Sequence, residues 1–262
     1  MRENIHWLVT IFIALVVLFT ILPSSSSQSN ATQSETIKSE NAVSPKDMSG
    51  TWAISTPRGG ESWYNYALIG DEPPMTAWAE EKFKANKPSF GPNPQEESND
   101  PAYSCLPNSV PRVYAAVQAA MQIVELPGRV LIFYGRNLRQ IYTDGRPHPA
   151  NLRPLWMGHS IGKWDGETFV VDTVAISDIN WLDRMGHPHS DKLHLIERFR
   201  RVEDKTMSVN ITIDDPVAYT KTWDATPRTF RLRPNARAVE AICEDMFINE
   251  AYGLHPTLPS MK

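Results

Sequence analysis

The sequence predicts a mostly β protein: an antiparallel meander closed into a lipocalin-like barrel, with one short helix near the start of the folded part. Three observations carry this. Short apolar runs recur from residue 121 onward, turn dipeptides separate them, and no helical pattern stands between them as βαβ units would require. A meander of that kind must close or pack on a second sheet, because an open edge invites aggregation. The barrel is the first reading and a β-sandwich the second.

The elements follow in chain order. Residues 51–55 read as a short strand. Pro73-Pro74 then opens a helix over 75–85, with Pro at its first turn and Trp78 and Phe83 as its large apolar side chains. Residues 87–107 are rich in Pro and Asn and show no period. The runs 121–126 and 129–134 flank Pro127-Gly128 and form a hairpin, followed by a strand over 138–143 that ends at Asp144-Gly145. The runs 156–164 and 167–174 flank Asp165-Gly166, a strong hairpin signal. A third hairpin joins 192–202 to 206–213, where Met207, Val209, Ile211 and Ile213 alternate with polar residues. A fourth joins 229–234 to 237–243 at Pro234-Asn235.

Ahead of this body stands Arg2, an apolar run over 7–22 and a serine-rich stretch over 24–29. Those are the parts of an export signal, read as 1–27, with cleavage expected after Ser27 or Ala31. An uncleaved anchor is the alternative, since the run is only somewhat shorter than the ~20 residues that span a bilayer. Residues 28–47 are polar and expected to be a disordered tether, and 48–262 a single β-barrel domain. The body is therefore expected outside the cytoplasm, periplasmic or secreted, and touching a membrane only through its N-terminal segment. In an oxidising compartment the two cysteines, Cys105 and Cys243, pair by default. That disulfide would close a loop of roughly 140 residues, which stabilises by about 4–5 kcal/mol on the chain-entropy model. A net charge of −4 with mixed signs offers no basic field for nucleic acid.

The motifs GHSIGKWDGETFVVDT (158–173), WLDRMGHPHSDKLHLIERFRR (181–201), DDPVAYTKTW (214–223), CLPNSVPR (105–112), ELPGRVLIFY (125–134) and RQIYTDGRPHP (139–149) stand out. Together they resemble a large group of exported, poorly characterised β-rich proteins of environmental bacteria, chiefly acidobacteria and proteobacteria. The resemblance covers roughly 105–244. It implies an exported β-rich fold and no activity or site residue.

Chemistry concentrates between Asp144 and Glu197, where five of the seven histidines fall: His148, His159, His187, His189 and His194. Acid–base catalysis needs an imidazole or carboxylate of tuned pKa, facing a cavity and oriented by a second group. His159, His189 and His194 are the candidates for proton transfer, with Asp172 and Asp183 orienting them. Asp172 interrupts the apolar run 169–174, and a buried carboxylate there needs a partner. Glu197 shares a strand face with Leu193, Leu195 and Phe199; it is either a substrate contact or half of a buried ion pair, with Arg139, Arg146 or a histidine as the other half. Arg146 and His148, stiffened by Pro147 and Pro149, are placed to bind a substrate anion over the barrel mouth. Trp181 is an apolar or stacking contact. The run His187-Pro188-His189 with His194 provides three imidazoles for a zinc ion, with Asp183 or His159 completing the set, although the spacing matches no zinc signature.

No cofactor is required by the first reading: an exported barrel whose His/Asp/Arg-lined cavity performs isomerase-, lyase- or cyclase-type acid–base chemistry on a small organic molecule. The second is a non-enzymatic carrier of a hydrophobic metabolite, and the third a metal-dependent hydrolase. Nucleophilic catalysis is poorly supported, because Gly158-His159-Ser160-Ile161-Gly162 lies in a predicted strand and lacks the strand–turn–helix of a nucleophile elbow.

Overall fold

Strict alternation over 206–213 produces the strand that anchors the rest: Met207, Val209, Ile211 and Ile213 all point into a common interior and are at most 1% exposed. A computed structural model describes residues 44, 46–55, 66–89, 94–95, 97–115, 120–135 and 137–236. In chain order the elements are β1 (Gly50–Ile54), α1 (Ala77–Ala85), β2 (Ala120–Leu126), β3 (Arg129–Tyr134), β4 (Asn137–Tyr142), β5 (His159–Asp165), β6 (Thr168–Val174), β7 (His194–Glu203), β8 (Thr206–Asp214), β9 (Trp223–Asp224) and β10 (Arg228–Leu232). Among the described residues no helix is long and apolar enough to cross a membrane. The N-terminal signal, nearly all of the tether and Cys243 lie outside the described residues, so the expected Cys105–Cys243 bond does too.

The sheet order is β1 to β8 in sequence, and β10 pairs with β1 on one side and β8 on the other. Nine strands thus form the expected closed barrel, while β9 pairs separately with the far end of β8 through Thr212↔Asp224 and Ile213↔Trp223. The last strand therefore closes the ring, and the expected partner of β10, residues 237–243, lies outside the described residues. Three of the four expected hairpins form: Leu126↔Arg129 flanks the Pro127-Gly128 turn, Asp165↔Thr168 the Gly166-Glu167 turn, and β7–β8 pairs from His194↔Asp214 to Glu203↔Thr206.

Three expectations need correction. The meander is not antiparallel throughout: β4 and β5 run parallel, through Ile141↔Ser160 and Tyr142↔Ile161. Parallel neighbours need a crossover of a dozen or more residues, and 143–158 is long enough to supply one. The strand expected over 156–164 also begins later, at His159. Gly158 has φ 62, and a Cβ there would stand 2.8 Å from Ile176, Thr173 and the Val174 carbonyl, so the chain turns tightly before it can pair. The helix likewise starts two residues after its expected position, because the Thr76 hydroxyl caps it by accepting from Ala79 N at 3.3 Å.

The barrel axis is filled. Apolar side chains from the strands, including Trp52, Ile132, Phe169, Phe199 and Phe230, pack with Tyr114, which a 3-10 turn at Arg112–Tyr114 drives into the interior. At its centre is a polar network. Arg139 from β4 and Glu197 from β7, both fully buried, form a two-pronged ion pair, with Nη1 donating to Oε1 at 2.9 Å and Nη2 donating to Oε2. Arg139 also donates to Thr173 Oγ1 (2.7 Å) and Ser160 Oγ (3.1 Å), and the Tyr114 hydroxyl donates to Glu197 Oε1 (2.7 Å). Tyr134 meets the Tyr114 hydroxyl at 2.8 Å. Burial pushes both phenols up, Tyr134 to about 12, so they remain neutral donors. Glu197 is therefore a structural anchor, which corrects its placement as a substrate contact.

Removing one member of this pair leaves a buried charge alone, which costs about 3–5 kcal/mol. Arg139→Leu and Glu197→Leu are each expected to lose that much in urea denaturation, and the double variant markedly less than the sum. Strictly additive losses would show that the two groups do not form one pair.

Candidate functional site

Strand parity decides where the histidines go. Ser160 and Thr173 point into the barrel beside Arg139, so their neighbours His159 and Asp172 point outward. Leu195 and Glu197 point inward from β7, so His194 points outward too. Asp172 faces Ile161 on one side and Ile196 on the other, which sets His159 and His194 on its two diagonals. The crossover 143–158 then lays His148, held between Pro147 and Pro149, against this outer row.

The result is a continuous relay. His194 Nε2 is 2.8 Å from Asp172 Oδ1, His148 Nε2 is 3.2 Å from the same oxygen, and His148 Nδ1 is 2.7 Å from His159 Nδ1. The His159 ring stacks on Tyr142, with centroids 5.3 Å apart and planes 24° apart, and meets His148 edge-on at 4.9 Å. His159 also lines an open recess of about 440 Å³ whose other walls include Leu138, Gln140, Tyr142, Leu155 and Trp156. The cluster expected inside a cavity is thus real for His159, Asp172 and His194, but it stands on the outer wall, corrected by register.

Charges and tautomers follow from the contacts. The Asp172 carboxyl is held below its ordinary range, first by the His194 hydrogen bond and then, against burial, by both imidazoles. A carboxylate only accepts, so both imidazoles donate to it through Nε2. Where His148 Nδ1 accepts the Nδ1–H of His159, His159 Nε2 is left as a base. Burial lowers His159, and the nearby His148 and Arg146 add to this, so it is neutral around pH 7. His194 is raised by its bond to Asp172, with Asp214 contributing, against the opposing effect of burial.

Three expected site residues are employed elsewhere. Asp183 and His187 form a buried pair, Oδ2 to Nδ1 at 2.7 Å, with His187 Nε2 at 3.4 Å from Glu72 and the imidazole stacked on Phe83 of α1 at 4.7 Å. Asp183 also accepts from the backbone N–H of Leu68 (3.3 Å) and Met185 (2.9 Å). Burial alone would lower His187, but Asp183 and Glu72 raise it to about 9; burial would raise Asp183, and His187 brings it below its usual value. His189 is buried with Nδ1 3.1 Å from the Ser190 carbonyl, and burial lowers its pKa. Trp181 is buried under the Arg112 guanidinium, 5.6 Å from its ring centroid, while Arg112 pairs with buried Asp100 at 2.6 Å. Asp183, His189 and Trp181 are therefore parts of packed loops.

Arg146 lies on the rim, 4.1 Å from the centre of the Tyr142 ring, but is doubly bonded to Asp144. His148, expected to bind an anion with it, instead bridges His159 and Asp172. The set His187, His189 and His194 takes three separate sets of partners, and among the described residues no group of three or more His, Cys, Asp and Glu side chains converges as metal ligands would. Comparison with protein-family models, curated proteins and solved structures finds no match for this chain.

Two outcomes follow. Imidazole NMR titration is expected to place His194 above and His159 below the usual midpoint of about 6.5, and Asp172→Asn to lower the His194 midpoint; an unmoved His194 midpoint would mean the contact is not made in solution. His187 has its folded pKa above its unfolded one, so its pairing stabilises fully below pH ~6.5 and is lost as pH rises through about 9. Urea denaturation between pH 6 and 9.5 is expected to show a loss roughly 2–3 kcal/mol larger in the wild type than in His187→Gln; parallel pH curves would contradict the buried ion pair.

Proposed function

We propose that the protein is an exported β-barrel that performs cofactor-free acid–base chemistry, of isomerase, lyase or cyclase type, on a small organic molecule bound in the outer-wall recess. The observation that carries this is the relay Asp172–His148–His159 ending on that recess. His159 Nε2 accepts a proton from a substrate O–H or from a C–H beside a carbonyl. The proton on His159 Nδ1 shifts towards His148 Nδ1, where the Asp172 carboxylate stabilises the imidazolium. Return of a proton from Nε2 to a different substrate atom resets the relay, so protons balance with no further reactant. His194 tunes the carboxylate by sharing its oxygen. The signal-like start of the chain, 2–29, supports export. A carrier that uses the same recess without the chemistry is the second reading, favoured by the exposed Leu138 and Leu155 beside it.

The test is catalysed hydrogen–deuterium exchange in D2O at the α-carbon of a small panel of enolisable ketones, 2-tetralone among them, followed by proton NMR. Exchange above buffer is expected, falling by about 10²–10⁴ in His159→Gln, the range general acid–base groups supply, with circular dichroism unchanged. Exchange that survives His159→Gln, or a panel with no exchange above buffer, removes the reading.

A further inference from the structure

Among the described residues, the recess beside His159 is lined without charge. Its walls present apolar and aromatic surface from Leu138, Tyr142, Leu155 and Trp156, and hydrogen-bonding amides from Asn137 and Gln140. Leu138 and Leu155, 52% and 53% exposed, both line it, so two large aliphatic side chains stand at one opening. Two neighbouring charges are already paired. The Arg146 guanidinium over Tyr142 is spanned by the Asp144 carboxylate, and Asp172 accepts from two imidazoles. Burial keeps the His159 imidazole uncharged.

An ion in this recess meets no charged side chain among the described lining residues. A neutral molecule meets apolar walls, two amides and a base. The volume of about 440 Å³ falls within the range of ordinary small-molecule sites. One wall is the outer face of a strand, where Tyr142 stacks on His159, and Trp156 is among the other lining residues, which suits a flat body.

Building on the acid–base reading of His159, we propose that the recess takes a neutral, flat, apolar-bodied molecule that carries one hydroxyl or enolisable carbonyl group and rejects carboxylates, phosphates and ammonium compounds. The body seats against Leu138, Leu155 and Trp156. The polar group lies at the His159 edge with Gln140 as its second partner.

An isosteric series tests this on the full chain: 2-naphthol, 2-naphthoate and 2-naphthylmethylammonium, with binding measured by calorimetry and sites read from the Trp156 indole N–H signal, assigned through Trp156→Phe. Expected is binding of 2-naphthol at least tenfold tighter than either ion, with the Trp156 signal shifting. Leu155→Lys and Leu138→Glu, both at exposed positions that fold without strain, each weaken it tenfold or more. Tighter binding of an ion, equal binding of all three, no binding of 2-naphthol, or shifts confined to signals away from Trp156 each overturn the proposal. The last two outcomes also cover a recess occupied by another part of the chain. Failure of the acid–base reading shows differently: 2-naphthol then binds through Trp156 as described, no deuterium exchange is catalysed, and the ligand class stands alone.

Discussion

Everything on the outer wall depends on the ion pair at the barrel centre. Arg139 and Glu197 come from strands on opposite sides of the parallel step, and each is fully buried. Two charges can sit there only because every side-chain nitrogen and oxygen of the pair finds a partner, with Ser160, Thr173 and the Tyr114 hydroxyl adding to the bonds between them. That satisfaction locks the register of β5, β6 and β7 together. A slip of one residue in any of them would pull a hydroxyl or the carboxylate off the guanidinium and bring an imidazole or Asp172 into the interior. The polar core thus acts on the site through geometry, one residue removed from it along each strand.

The second constraint is the crossover between β4 and β5. A hairpin there would have left the outer face of β5 and β6 bare. The longer return path instead carries Asp144, Arg146 and His148 across that face, and Pro147 and Pro149 stiffen the turn that delivers the imidazole. Leu155 then bridges to Ile176 in parallel and the chain turns at Gly158. The same segment supplies the relay's middle member and two walls of the recess. The crossover that makes the parallel step is therefore where the chemistry-bearing surface is assembled.

The histidine-rich stretch divides into two tasks. His148 and His194 share one carboxylate at the surface and His159 joins them through His148, where partial exposure leaves their protons exchangeable. His187 pairs with Asp183 in a dry setting and ties the 181–190 segment to Glu72 and, through Phe83, to α1. Asn86 adds a bond from its side-chain amide to the Gly186 carbonyl at 2.7 Å. Here the imidazolium is a permanent cation at neutral pH and works as a strut.

By itself the sequence determined the class and nearly every hairpin, because alternation of apolar residues and turn dipeptides are local signals. It also pointed to the window 144–197 and to Glu197 as an inward acid, since Leu195 and Phe199 share its face. It could not tell which way His159 and Asp172 point: Val170 and Val174 are as apolar as Phe169 and Val171, so β6 reads the same from either face. Parity there was settled by Arg139, a residue far off in sequence whose need for Thr173 and Ser160 turns their neighbours outward. The parallel step, the place of His148 in the relay and the recess beside His159 were likewise decided only by the fold, because each arises from contacts between segments that no periodicity connects.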